Sequence, residues 1–297
     1  MNILWKLKRK IRKTIITYSS NAHPSSYPFI SGDTFRSLAN HIYESGATFD
    51  PKSVAENDIV FVQSDVMHKY FSEIHPSITN PYKLITHNGD WNITDKELRF
   101  IDDKIIHWFA QNVLTNHPRV TPIPIGLENM SYANAGYIPL YTNSILKKIG
   151  RLPRILAAFN VASNFKDRNE AMKILRDDIK VDVISKRPDQ PGYVSRVRKY
   201  CFIASPPGNG DDCIRTWESM YLGAIPIVIE SVGNEYFRNL GLPLMILDKW
   251  SKLKGLSEYD LQKKYDLIMS QADRRALFMD YWIDLIKSEG EKFSGKK

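Results

Sequence analysis

Cysteine is scarce in this chain: 297 residues include two, Cys201 and Cys213. Two cysteines build neither a disulfide framework nor a thiolate metal cluster. Both are expected to be small buried apolar residues in a reducing compartment. No apolar run approaches the roughly 18–20 residues needed to cross a bilayer. No segment is of low complexity, and no repeat of solenoid period recurs. Residues 1–13 contain no acid but hold Lys6, Lys8, Arg9, Lys10, Arg12 and Lys13, so only two of the eight net positive charges fall on the rest. A body so close to neutral argues against a general nucleic-acid binder.

That basic stretch has a pattern. Leu4, Leu7, Ile11 and Ile15 recur at helical spacing, with Trp5 beside them. A basic amphipathic helix carrying an indole suits an anionic membrane surface. Its bases interrupt any apolar core of a cleaved signal peptide. Residues 1–17 are therefore expected to be a leader lying on the inner, cytoplasmic face of a membrane.

The remaining length suits two compact domains. Short apolar runs at residues 59–62, 83–86, 106–110 and 120–125 alternate with helical stretches, and the same rhythm restarts at residues 154–159, 181–185, 200–204, 224–229 and 244–247. Such alternation predicts parallel α/β architecture. The expected division is an N-terminal domain over 18–130, a linker over 131–152, a second domain over 153–256 and a helical tail over 257–297 that packs back on the first domain.

The most informative stretch is residues 206–228, PPGNGDDCIRTWESMYLGAIPIV. A polar glycine-bearing loop leads from one apolar run into a helical segment, which stops at Gly223 before the next run. Backbone N–H groups at such a helix start suit an anion. Arg215 and Glu218, three apart, share a helix face. The arginine fork matches diphosphate oxygens, and the carboxylate can accept from ribose hydroxyls. Ser205, Gly208, Asn209 and Gly210 would line the sugar–phosphate path. Asp211 and Asp212 are each read as donor contact or helix cap. A second polar loop, from Asn160 to Arg168, opens another helix and would bring Arg168 to the diphosphate from the opposite side.

Pro206, Gly208, Arg215 and Glu218 fit the spacing P-x-G, six residues, R-x-x-E, and residues 223–228 continue as GAIPIV. This resembles the donor-site signature of exostosin-like (family 47-type) glycosyltransferases, with Ala224 where that family often has cysteine. The resemblance implies a GT-B fold, two Rossmann-like domains facing a cleft with the nucleotide on the C-terminal one. It implies transfer of a sugar from a nucleotide sugar, with inversion; together with the basic leader, the expected reaction moves a sugar from a UDP- or GDP-linked donor to a hydroxyl of a surface glycan or lipid-linked oligosaccharide. It also implies no cofactor and no essential metal, in keeping with the lack of any Asp-x-Asp triplet. The α1,3-fucosyltransferases share this architecture without the same spacing and stand second. A non-catalytic nucleotide-sugar-binding subunit of a glycan assembly complex would keep Arg215 and Glu218 but need no base.

An inverting transfer needs a base within about 3 Å of the acceptor hydroxyl. Asp90 is the first candidate, on the loop after the run at 83–86 and near His87, because loops at the C-terminal ends of parallel strands face the ligand cleft. Asp33, Glu128 and His87 itself are the alternatives.

Overall fold

The computed structural model describes residues 3–18, 22–132, 135–145, 149–184, 186 and 188–294. Residues 133–134 and 146–148 of the expected linker, and Ser185 of the run at 181–185, lie outside them. Helix α1 (Ile3–Tyr18) precedes the short α2 (Gly32–Arg36) and the strands β1 (His41–Tyr43) and β2 (Ile59–Gln63). Helix α3 (Met67–Glu73), β3 (Tyr82–His87), β4 (Ile105–Ala110) and β5 (Val120–Pro122) complete the first half. Helix α4 (Pro139–Ile145) lies in the connection. The second half runs β6 (Leu152–Ala157), α5 (Phe165–Leu175), β7 (Val181–Val183), α6 (Gln190–Val197), β8 (Tyr200–Ala204), α7 (Ile214–Tyr221), β9 (Ile225–Ile229), α8 (Val232–Asn239) and β10 (Met245–Leu247). Helices α9 (Glu258–Gln271) and α10 (Met279–Ser294) end it.

The strands form two five-stranded parallel sheets. The first has order β1-β2-β3-β4-β5 and the second β10-β9-β8-β6-β7. Two parallel α/β halves with a C-terminal helical extension are the layout expected from the alternating runs. The second order reverses between β6 and β8, which makes a topological switch point, where ligands bind in open α/β sheets.

The strands read as unbroken apolar runs because both faces are covered. Alternate side chains go to different cores. Val60, Val62, Leu84, Trp108 and Ala110 pack in an outer N-terminal cluster with Met67 and Tyr70 of α3. Their neighbours Phe61, Ile85 and Phe109 turn to a central cluster. Ile155, Ala157, Phe202 and Ile225 form the outer C-terminal cluster, whereas Leu156 and Ile203 turn inward. The central cluster joins both halves, since Trp217 and Tyr221 of α7 and Trp282 and Ile286 of α10 belong to it with Phe29, Phe35 and Phe109. Truncating one such aromatic typically costs about 3–5 kcal/mol.

Two expectations about the ends are refined. The tail divides in two: α9 packs on β6 and β8 of the second half, and α10 reaches back to β4 of the first. The break at residues 272–278 lets one segment cover both sheets. The connection is not mere linker either, since its helix α4 packs on α7.

Candidate functional site

Helix α7 carries the core of the site. Its start has Cys213 as N-cap with no side-chain capping bond to the helix, the thiol meeting the Pro206 carbonyl and Arg168 instead, so the helix start keeps its capacity for an anion. Its end explains the glycine of the signature. Gly223 sits at φ +79°, and the N–H groups of Gly223 and Ala224 close onto the carbonyls of Met220 and Ser219. That is a Schellman stop, which favours glycine at this position.

A cavity of about 230 Å³ lies at the switch point, against the start of α7. Arg168, Gly208, Asn209, Gly210, Arg215 and Glu218 line it from the second half; Asp90 and Glu128 line it from the first. Arg215 donates through Nε to the carbonyl of Ala158 at 3.2 Å. Its Nη1 is buried with no hydrogen-bond partner, and the guanidinium lies 5.7 Å from the Phe159 ring centroid. An unpaired buried donor beside an uncapped helix start is the arrangement an anionic ligand would complete. Glu218 is buried, and its Oε1 accepts from Tyr141 and from Gln190, each at 2.7 Å. Those two donors, from α4 and α6, set the carboxylate's direction.

The other expected donor residues divide. Arg168 lines the cavity, but its Nε and Nη1 donate to the carbonyls of Pro207 and Asn160, both at 2.8 Å. It braces the loop. The Asn160 side chain accepts from the N–H of Ala162. Asn164 adds a bond to the Gly208 carbonyl at 2.9 Å. Ser205 and Asp211 line a separate cavity of about 320 Å³; Ser205 bonds Thr216, and Asp211 accepts from Ser231. Burial raises the Asp211 carboxyl above its ordinary value. Asp212 lines the cavity at the switch point yet accepts from the N–H of Ile125 at 2.8 Å and from the Trp217 indole. Its own N–H donates to Asn112 Oδ1. Asp212 therefore ties the two halves together, and burial pushes its carboxyl up to about 7. The same join needs Gly210, where a Cβ would lie 2.3 Å from Asn112 Nδ2.

Across the cleft, a second cavity of about 430 Å³ shares Asp90, Ile125, Glu128 and Ile214 with the first. Its remaining walls come from the C-terminal ends of β1, β2, β3, β4 and β5 and, ahead of β1, from His23 and the start of α2 with Gly32 and Asp33, so both sheets turn their C-terminal edges to the cleft. Asp90 is exposed at the border of the two cavities, and Asn209 Nδ2 of the loop before α7 donates to its Oδ2 at 2.9 Å. Glu128 also lines both, but its Oε2 accepts from Ala135 N–H at 2.6 Å and from Gly136 N–H at 3.3 Å. His87 uses both nitrogens: Nδ1 accepts from Asn88 N–H at 2.7 Å, and Nε2 donates to the Pro124 carbonyl at 3.0 Å. Burial lowers it to about 4, so it is a neutral structural imidazole.

Asp33 is buried, and burial raises its carboxyl above the usual range. Its Oδ1 meets His23 Nδ1 at 3.1 Å. The histidine lines the same cavity, and a carboxylate behind an imidazole can orient it as a base. Sequence reasoning missed His23, because nothing in the chain order signals that it meets Asp33.

No protein-family model matches the chain, and no curated protein matches it in sequence. Solved structures match by shape. An α,α-trehalose 6-phosphate synthase from Burkholderia multivorans is 8% identical, with TM-score 0.45 over 82% of this chain and 73% of that chain. A UDP-forming α,α-trehalose-phosphate synthase from Burkholderia xenovorans, in complex with glucose-6-phosphate, is 8% identical, with TM-score 0.45 over 97% and 78%. The pneumococcal O-GlcNAc transferase GtfA, in complex with UDP and GlcNAc, is 13% identical, with TM-score 0.39 over 80% and 58%. Each likeness is one of general layout.

Proposed function

We propose that the chain is a GT-B glycosyltransferase, moving a sugar from a nucleotide-diphosphate donor to a hydroxyl of a glycan. The observation that carries this is the position of Asp90. It borders both cavities, directly across from the α7 start, Arg215 and Glu218. The uncapped helix start and the unpaired Nη1 of Arg215 suit a diphosphate. Glu218, oriented by Tyr141 and Gln190, suits a ribose. Asp90 takes the acceptor's hydroxyl proton, the acceptor oxygen bonds to the anomeric carbon, and the bond from that carbon to phosphate breaks. The diphosphate leaves with the electron pair. Arg215 and the helix start offset the charge it gains. Arg168 acts by bracing the loop. Single displacement with inversion is the form of the reaction, without an essential metal, and the exostosin-like signature stands ahead of a fucosyltransferase-like GDP-sugar enzyme.

The acceptor is a surface glycan or a lipid-linked oligosaccharide at the inner face of a membrane. Helix α1 supports this. Trp5 is buried against Tyr137, with Arg12 stacked 4.0 Å from the Tyr137 ring centroid. Leu4, Leu7, Ile11 and Ile15 remain exposed among the lysines. The helix packs against residues 130–132, and Ser131 and Tyr132 line the larger cavity. An anionic lipid surface under α1 would thus lie beside the acceptor side. No helix among the described residues is long and apolar enough to cross a membrane.

The test is a screen of UDP- and GDP-sugars by mass spectrometry with lipid-linked acceptors, beside calorimetry with UDP and GDP. Turnover that Arg215→Ala and Asp90→Asn both abolish supports the reading. Nucleotide binding without turnover on any acceptor favours a binding subunit. Turnover that survives Asp90→Asn but not His23→Ala moves the base to His23.

A further inference from the structure

We propose that the larger cavity is a subsite for an acceptor glycoside carrying no anionic group, whose hydroxyl or amine donors bind Asp33 and Gln111. This rests on the glycosyl-transfer reading and names the acceptor class.

The cavity has about 430 Å³, room for a sugar ring, and no lysine or arginine lines it. Five carboxylates do: Asp33, Glu44, Asp65, Asp90 and Glu128. Arg36 pairs with Glu44 at 2.8 Å but is not in the lining. His23 meets Asp33 at 3.1 Å and Glu44 at 3.9 Å. One arginine and one histidine do not balance five acids, so the wall is negative. A carboxylate, sulfate or phosphate on the ligand would meet like charge at short range in a partly dehydrated site.

Acidity alone would not define a ligand. The independent observation is two buried acceptors without partners. Asp33 is 1% exposed and its Oδ2 has none; Gln111 is 2% exposed and its Oε1 has none. Both residues line the cavity. Buried acceptors left unpaired are costly, and a bound donor relieves that cost. Asp33 is also held in place. Asn88 Nδ2 donates to its Oδ1 at 3.2 Å, Asn129 Nδ2 donates to Asn88 Oδ1 at 2.9 Å, and Asn129 Oδ1 accepts from the Asp33 N–H at 2.9 Å. This closed ring of amides occupies Oδ1 and leaves Oδ2. Acceptors that need donors, in a negative wall, select sugar hydroxyls or an amine and reject acids.

The full chain is tested by saturation-transfer NMR with methyl β-glucoside, methyl β-galactoside and methyl N-acetyl-β-glucosaminide, each against methyl β-glucuronide and methyl β-galacturonide. UDP and GDP binding are measured separately by calorimetry. At least one neutral glycoside should bind at least tenfold tighter than the uronides. Asp33→Asn should narrow that ratio and Gln111→Leu should weaken the glycoside severalfold, both with nucleotide binding unchanged. A uronide that binds as tightly as the neutral sugars, or failure of every neutral glycoside to bind, overturns the proposal. Should Asp33→Asn not fold, the wild-type ratio decides alone. Glycoside selectivity without UDP or GDP binding would sink the donor reading and leave the subsite standing.

Discussion

On one wall of the cleft, Arg215 and the start of α7 present unpaired donors and positive charge. On the other, Asp33, Glu44, Asp65 and Asp90 present carboxylates, and Asp33 and Gln111 present unpaired acceptors. Both walls lie at the C-terminal edges of parallel sheets, the acidic one completed by Asp33 at the start of α2, so fold alone does not separate them. The difference lies in the loop residues that each strand leads into. After β8 come glycines and an uncapped helix; after β3, β4 and β5 come Asn88, Asp90, Gln111, Glu128 and Asn129. In the proposed transfer, a leaving diphosphate and a hydroxyl losing a proton would meet these opposite surroundings.

The strongest way to break that contrast is at Asp90. Asp90→Asn should lower turnover by about 10²–10⁴-fold with calorimetric nucleotide binding intact, and wild-type turnover would remove Asp90 from the base role. Arg215→Ala probes the other wall. One charge-assisted hydrogen bond contributes about 1.5–3 kcal/mol, so titration should show UDP or GDP binding weakened by about ten- to a hundredfold, with neutral glycoside binding unaffected.

His87 sharpens the acidic wall through pH. Burial depresses it from 6.5 to about 4, so between these values the unfolded chain binds more protons. Stability is then fully present above about pH 6.5 and is lost as pH falls toward about 4, by up to about 3 kcal/mol. Protonating Nδ1 would also break its bond from Asn88 N–H. Denaturant midpoints at several pH values should show this slope, and His87→Gln should flatten it. The smallest effect on chemistry is expected at α1. Lys6→Glu with Lys10→Glu should cut sedimentation with anionic vesicles, at about 1 kcal/mol per lost base, while turnover on a short soluble acceptor stays the same.

Legibility tracked locality. The parallel strands were readable because burial on both faces writes unbroken apolar runs, as in IVFV and RILAAF. The loop, α7 and its stop were readable because they are contiguous, so the interval from Gly208 through Arg215 and Glu218 to Gly223 survives as spacing. The partners of those residues were not readable. Tyr141 and Gln190 reach Glu218 from 77 and 28 residues away. Asp212 resembled a cap or ligand contact until its bond to Ile125 made it a tie between halves. Arg168 resembled a second diphosphate clamp, but its donors go to the carbonyls of Pro207 and Asn160.

By itself the chain order determined two α/β halves, an anion-ready helix start with an arginine and a glutamate on one face, and a basic amphipathic leader. These depend on periodicity and short spacing, which a linear sequence carries. Only the tertiary structure decided which carboxylate meets the donor side, that the facing cavity is acidic with unpaired acceptors, and that Ser205 and Asp211 face elsewhere. Those outcomes depend on loops from five separate strands and the start of α2 converging at one edge, and convergence in space leaves no mark in local pattern.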